Sequence, residues 1–439
     1  MNCKALYFLF VLLLSPLSSW AETKTIGGIN YEISAKFKTA TVVALSTGKY
    51  TGDIVLPDKI TVNGTTYPVT AIGGKAFYSC QELTAITLPS SITSIGEYAF
   101  SGCSGLKALS LPESLTAIER YAFSRCSSLT SIRIPGQLTT IAGNAFDNCT
   151  NLSSVYLSDG VTTIDNGAFA DCSALTRVRI PNTVTDIGTS SFFRCTSLKI
   201  ITIPESVQTL PFGVFWRCSA LTSIVLSDSI RTIGDYTFCE CKQLTTVYLG
   251  KNVADIGTGA FSECPELTDV YCCMEGLPHT RDNVFQNSFI DMATLHVPET
   301  AIDAYSKAEP WNGFQNVETF NLDLLVGISD LRTSPFSTNI SFENSPQAGV
   351  SFSESSSQTG FSSADSSSQA LYSQASTHRG IITVTGVPAG TALQVFDLNG
   401  RLVGSAKAES AQTHIITSLR RPQIVLVRAG DATLKVSLR

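Results

Sequence analysis

Nine cysteines stand 23 residues apart along the middle of the chain: Cys80, Cys103, Cys126, Cys149, Cys172, Cys195, Cys218, Cys241 and Cys264. Each has a phenylalanine three residues ahead, from Phe77 to Phe261, and a leucine three residues behind, from Leu83 to Leu267. Self-similarity at a period in the twenties means a repeat array and excludes an ordinary globular domain over that stretch. One unit, Ile92 to Pro112, carries apolar residues at fixed offsets with polar residues between them. A single unit cannot bury that set, so successive units must stack.

Within a unit the run Leu83-Thr84-Ala85-Ile86-Thr87-Leu88 reads as a strand whose fourth and sixth places both point into the coil. The proline that follows (Pro89, Pro112, Pro135, Pro181, Pro204) cannot continue a ladder and turns the chain away. The return limb inserts a second apolar set, Ile92, Ile95 and Phe100 in one coil and Val184, Ile187 and Phe192 in another. With parallel strands about 4.8 Å apart, nine coils would give a curved rod on the order of 45 Å long. The expected fold class is an α/β-type solenoid, predominantly β.

The pattern [Ile/Val]-Thr-x-Ile-Gly-x-x-Ala-Phe-x-x-Cys-x-x-Leu-Thr-x-[Ile/Val]-x-[Ile/Leu]-Pro resembles the 23-residue repeat of the BspA-like bacterial leucine-rich repeat family, with good copies at Ile92 to Pro112 and Val184 to Pro204. The likeness covers residues 66–273. It implies a leucine-rich repeat curved solenoid, and a role in adhesion to host matrix proteins or to other bacteria. The resemblance extends to the flanks: Tyr50 to Pro57 and Tyr67 to Gly73 are similar to the family's N-terminal region, and residues 274–322 to its closing unit.

The remaining segments follow from composition. Residues 1–21 read as a secretory signal: Lys4 supplies charge, Ala5 to Leu14 is an apolar run too short to span a bilayer, and Ser19-Trp20-Ala21 offers a cleavage site. The mature chain is then expected to begin near Glu22 and to lack a transmembrane span. Residues 22–65 read as an N-terminal β cap that covers the solenoid's open end. Residues 274–322 read as an irregular coil and C-terminal cap, with Thr300 capping a short helix and Trp311 and Phe314 closing the core. The serine-dense stretch 323–379 reads as a flexible linker. In residues 380–439 six short alternating segments read as a small C-terminal β-sandwich. There Val395 to Val403 and Thr433 to Leu438 resemble the C-terminal sorting domain of the type IX secretion system of Bacteroidetes, departing from it at Arg420 to Val425. Together these readings imply a secreted or outer-membrane surface location.

Chemistry is marked by absences. Charged residues are 15% of the chain, the net charge is -6, and no basic run appears, so no nucleic-acid footprint is present. The four histidines, His279, His296, His378 and His414, are scattered, and no phosphate loop, Gly-x-Ser-x-Gly or His-Glu-x-x-His occurs. The chain is therefore read as a non-enzyme with no cofactor. Thirteen cysteines in an exported protein invite a disulfide framework. Equivalent side chains in successive coils run parallel, however, which is the wrong Cβ geometry. The nine ladder cysteines are read instead as buried thiols filling small apolar slots. Cys239, Cys241, Cys272 and Cys273 lack zinc-ribbon spacing, so no metal is expected.

What remains is surface. Stacking aligns the residues that flank the strand's fourth place, where Arg133, Tyr156, Arg177 and Arg179 cluster in mid-solenoid and Tyr248 and Tyr271 follow further on. Arg and Tyr are enriched at binding hot spots, and solenoids bind along extended concave faces. A second candidate is the pair Phe193-Arg194 and Trp216-Arg217 in adjacent coils, which either forms an adhesive patch or tucks against the neighbouring turn. The expected partner is a protein or glycan on a host or bacterial surface, bound by a monomer. The rival readings are periplasmic or surface glycan capture and a passive stalk.

Overall fold

The computed structural model describes residues 22–320 and, beyond them, strand segments between residues 374 and 437. The expected signal segment and most of the serine-rich stretch lie outside the described residues. The chain divides into two units, Met1–Thr319 and Phe320–Arg439.

The first unit is a mostly β solenoid of about eleven turns. Three backbone ladders run along it. The first is made of the leucine-headed strands, parallel and in register every 23 residues: Ser131–Ile134 pairs with Ser154–Leu157, which pairs with Arg177–Arg179. A second sheet continues this ladder through Ser223–Val225, Thr246–Leu249 and Asp269–Cys272, with Thr294–Pro298 and Asn316–Phe320 added beyond the 23-residue spacing. The second ladder comprises two-residue strands on the return limb, such as Ser94–Ile95 beside Ala117–Ile118. The third runs through the turns, where the N–H of Phe77 bonds the carbonyl of Ala99 and that of Phe100 bonds Ala122, both at 2.7 Å.

That third ladder requires unusual backbone. Two residues flanking each phenylalanine turn adopt left-handed conformations, for example Tyr121 (φ 58°) and Arg125 (φ 61°) in one coil. Such values are uncommon for a side-chain-bearing residue and persist only where surrounding structure over-determines them. Here the inter-coil hydrogen bonds hold them. The glycine of the Ile-Gly dipeptide has a different cause: a Cβ on Gly96 would lie 2.7 Å from the backbone N of Gly74.

Inside, the phenylalanines form one stack from Phe77 to Phe285, with centroids 4.9 to 5.8 Å apart and planes within 17° of parallel. The ladder cysteines are buried free thiols. They also donate hydrogen bonds: the Cys103 Sγ reaches the carbonyl of Phe77 in the preceding coil at 3.0 Å, and the pattern repeats through Cys264. That carbonyl already accepts the N–H of its own coil's cysteine, so the thiol fills its second lone pair. Where the ladder ends, Ser288 occupies the equivalent place and its hydroxyl bonds the Phe261 carbonyl at 2.6 Å. We expect Cys149→Ser to cost less than about 1 kcal/mol, and Cys149→Val, which keeps the bulk but loses the donor, to cost about 1–3 kcal/mol. Urea denaturation of the two variants compares them, and equal losses would remove any role for the donor.

Both ends are closed by chain that joins the ladders. Glu22–Ile26, Ile29–Ser34 and Thr39–Val43 are antiparallel, and Thr39–Val43 then pairs in parallel with Thr65–Ile72. Gly52–Val55 pairs in parallel with Leu83–Thr87, so this region contributes to the first ladder as well. At the other end His279–Thr280 stacks on Asp255–Ile256, and Thr294–Pro298 on Asp269–Cys272. Trp311, Tyr305 and Phe314 are buried beneath them. Thr300 does not cap the helix Ile302–Tyr305. It lies inside the 3-10 turn Glu299–Ala301 that leads into the helix, and no side chain caps it.

In the second unit the described strands form two antiparallel sheets. One holds Gln374–His378, Ile381–Thr385 and Gln412–Ile416; the other holds Leu402–Lys407, Ala392–Asp397, Ile424–Ala429 and Ala432–Ser437. Gln374–His378, within the residues expected to be linker, is a strand that pairs along its full length with Ile381–Thr385.

Candidate functional site

On the strand face, register places Arg133 beside Tyr156 and Tyr156 beside Arg179, with Arg177 on the same sheet. All four side chains are exposed. The Arg133 guanidinium lies 5.5 Å from the Tyr156 ring centroid and pairs with Glu113, while Arg179 stands 3.8 Å from Asp159. These are solvated pairs whose net contribution to stability is small, so Arg133 and Arg179 are only lightly held and remain open to a partner.

Tyr248 and Tyr271 do not belong to that face. Both are buried, in a continuous stack with His296: the Tyr248 and Tyr271 centroids are 4.3 Å apart, and those of Tyr271 and His296 are 4.1 Å apart. His296 Nε2 is 2.9 Å from Asp269 Oδ1, and its Nδ1 is 3.7 Å from Glu318 on the last strand of the sheet. The closing strands cover this end of the face, which turns two expected contact residues into core. Burial pushes the Tyr248 hydroxyl well above its ordinary range.

The turn face carries a denser aromatic group. Phe193 meets Trp216 edge-on at 5.4 Å, Phe212 lies edge-on to both Trp216 and Tyr236, and Trp216 lies over Tyr236 at 5.6 Å. Phe212 is 42% exposed, and Phe193, Trp216 and Tyr236 are half-buried. Arg194 and Arg217 lie 5.9 and 5.5 Å from the Phe193 and Trp216 centroids. Arg194 pairs with Asp171 at 3.1 Å; Arg217 Nε donates to Glu240 at 2.8 Å, and Trp216 Nε1 to the same oxygen at 3.3 Å. Burial raises the Glu240 carboxyl, but the bonds from Arg217 and Trp216 outweigh it and leave the group below the usual carboxylate range. Phe193 and Trp216 therefore pack on their neighbours and still present a patch.

The sequence pattern missed Phe212 and Tyr236. The signal was there: Phe212 and Tyr236 stand three and two residues ahead of the ladder phenylalanines Phe215 and Phe238, places that are exposed or half-buried in most coils wherever they carry a side chain. Among the described residues no group of three or more His, Cys, Asp or Glu is placed to hold a metal ion, and no helix is long and apolar enough to cross a membrane.

Parallel coils with leucine-headed strands, a phenylalanine spine and exposed aromatic and arginine patches define a leucine-rich repeat scaffold. The BspA type leucine rich repeat region, in six copies, matches residues 70–199 and 162–291, and the chain belongs to that family. Among solved structures, the chain is similar to a leucine rich cell surface protein from Faecalibacterium prausnitzii A2-165, at 25% identity over 68% of this chain and 95% of that one, with a TM-score of 0.43. It is also similar to a leucine-rich repeat protein from Bacteroides ovatus ATCC 8483, at 22% identity over 68% of this chain and 100% of that one, with a TM-score of 0.36. The pneumococcal vaccine antigen PcpA matches at 18% identity over 69% of this chain and 99% of that one, with a TM-score of 0.40. Curated proteins give no match.

Proposed function

We propose that this chain is a secreted, cell-surface adhesin-type protein that recognises host matrix proteins or partner bacteria through the solenoid surface, without catalysis. The observation that carries this reading is the turn-face group Phe193, Phe212, Trp216 and Tyr236, framed by Arg194 and Arg217. Trp, Tyr and Arg dominate protein-binding hot spots, and rigid rings already packed on one another lose little conformational freedom on contact. The strand-face group Arg133, Tyr156, Arg177 and Arg179 favours a second docking place on the same scaffold. Sorting to the surface belongs to this proposal and rests on the signal segment and the C-terminal sorting resemblance.

The test uses the chain from Glu22 onward over a panel of immobilised matrix proteins. Any matrix protein that binds should bind at least about tenfold more weakly to a Phe212→Ala, Trp216→Ala double variant, the loss of a hot spot. A triple variant, Arg133→Ala, Arg177→Ala and Arg179→Ala, reports on the strand face. Equal binding by parent and both variants would refute both sites, and no binding to any panel member would favour a passive stalk. Protease shaving of intact producing cells checks location, with release of solenoid peptides as the expected result.

A further inference from the structure

A groove of about 470 Å³ crosses the turn face of the first four coils, well away in sequence from the aromatic group. Its floor is set by the left-handed positions Ser79, Gly102, Arg125 and Asn148, one per coil. Gly102 leaves the middle of the floor low: a Cβ there would meet Ser79 Oγ at 3.2 Å. Tyr78, 43% exposed, stands at one side. The remaining lining is serine, threonine and glutamine.

We propose that this groove binds a linear acidic glycan, a sugar chain that carries carboxylates. Two features favour a sugar over a peptide. Peptide strands dock on unpaired backbone or in apolar anchor pockets. Here the N–H groups of Ser79, Gly102, Arg125 and Asn148 are all bonded to the next coil, at 2.7 to 2.8 Å, and the lining offers no apolar pocket. What it offers is a row of hydroxyl and amide side chains, which are donors and acceptors at once and so match sugar hydroxyls, beside a tyrosine ring that can take an apolar sugar face.

Charge selects the acidic class. Among the described residues, neither Arg125 nor the nearby Lys49 and Lys75 has a carboxylate within ion-pair distance, whereas Arg133, Arg194 and Arg217 elsewhere are paired. Lys49 Nζ bonds the Tyr78 carbonyl at 2.6 Å, which keeps its charge at the groove's edge. Asp147, from the coil next to Arg125, feels the guanidinium's charge, but its oxygens are taken up by Ser124 and Asn148. The groove's lining thus carries one cation, Arg125, and no carboxylate, among neutral hydrogen-bonding groups, in a chain of net charge -6.

The proposal is independent of the matrix-protein reading. Its test is calorimetric titration of the chain from Glu22 onward with linear hexasaccharides: galacturonate, mannuronate and sialate chains as probes, glucan and galactan chains as neutral controls. At least one carboxylated chain should bind with a Kd below about 1 mM, and the neutral chains about tenfold or more weakly. Arg125→Gln should remove that preference while Tyr78→Ala weakens both classes, and Ser127→Trp, which fills the groove, should abolish binding. Raising salt from about 0.05 to about 0.5 M should weaken the carboxylated chain selectively. The three substituted side chains lie at the surface, and melting curves matching the parent's confirm that the variants fold. Failure of every carboxylated chain to bind, equal binding by a neutral chain, or binding unchanged in Arg125→Gln and Ser127→Trp would each overturn the assignment.

Discussion

Raising the pH from about 8 to about 10 is expected to lower the urea midpoint of this chain steeply. The cause is the thiol ladder. Burial pushes Cys103, Cys149, Cys218 and Cys264 up to about 12, and Cys126, Cys172, Cys195 and Cys241 well above their ordinary value. In the unfolded chain the same groups ionise near about 8.5. Between those values the native state holds protons that the unfolded state has released, so stability falls as pH rises. It is fully present below the unfolded value and is lost on the way up to the folded one. Each thiol contributes a loss of about 2 kcal/mol over this range. Summed over the ladder, that is on the order of a whole domain's stability. Native thiols should also resist a disulfide reagent at about pH 8, where the nucleophilic thiolate is suppressed, and react on denaturation. Changing Cys126, Cys149 and Cys172 together to Ser should flatten the pH dependence. A midpoint that does not move between the two pH values would show that the thiols are not insulated as the stack requires.

The parts that were legible in the sequence are those with one period. Leu83, Ile92, Ile95, Phe100 and Cys103 recur at fixed offsets because every coil buries the same side chains, and these residues line the core. Three features escaped for different reasons. The left-handed turn positions are filled by Arg, Tyr, Ser, Asn and Glu as well as Gly, so no composition marks them; inter-coil hydrogen bonding imposes the conformation. The thiol's role as a donor depends on a carbonyl 26 residues earlier, which spacing alone does not reveal. Tyr248 and Tyr271 share the offset of Arg133 and Tyr156, and only the closing strands bring His296 and Glu318 to cover them. Periodicity identifies what all coils share. It is silent about what the ends of the array do to individual coils.

Phe169→Ala in the middle of the spine should cost about 3–5 kcal/mol, the range for truncating a fully buried aromatic ring. Phe169 lies 5.5 Å from Phe146 and 5.6 Å from Phe192, nearly parallel to both, so its removal leaves a gap between two rings that cannot close without breaking the ladders on either side. In a stacked array each coil is stabilised mainly by its neighbours, so a weakened central interface uncouples the two halves. Denaturation should therefore change from one cooperative transition to two, and limited proteolysis should open the chain around the Phe169 coil first. Phe169→Leu, which keeps an apolar filler, should cost less and leave a single transition. The same truncation at Phe285, where Trp311 and Phe314 meet the last ring edge-on, should fray one end without dividing the array. If Phe169→Ala and Phe285→Ala both lowered stability with one transition intact, the spine would be acting as one global core, and the nearest-neighbour account of the solenoid would have to be given up.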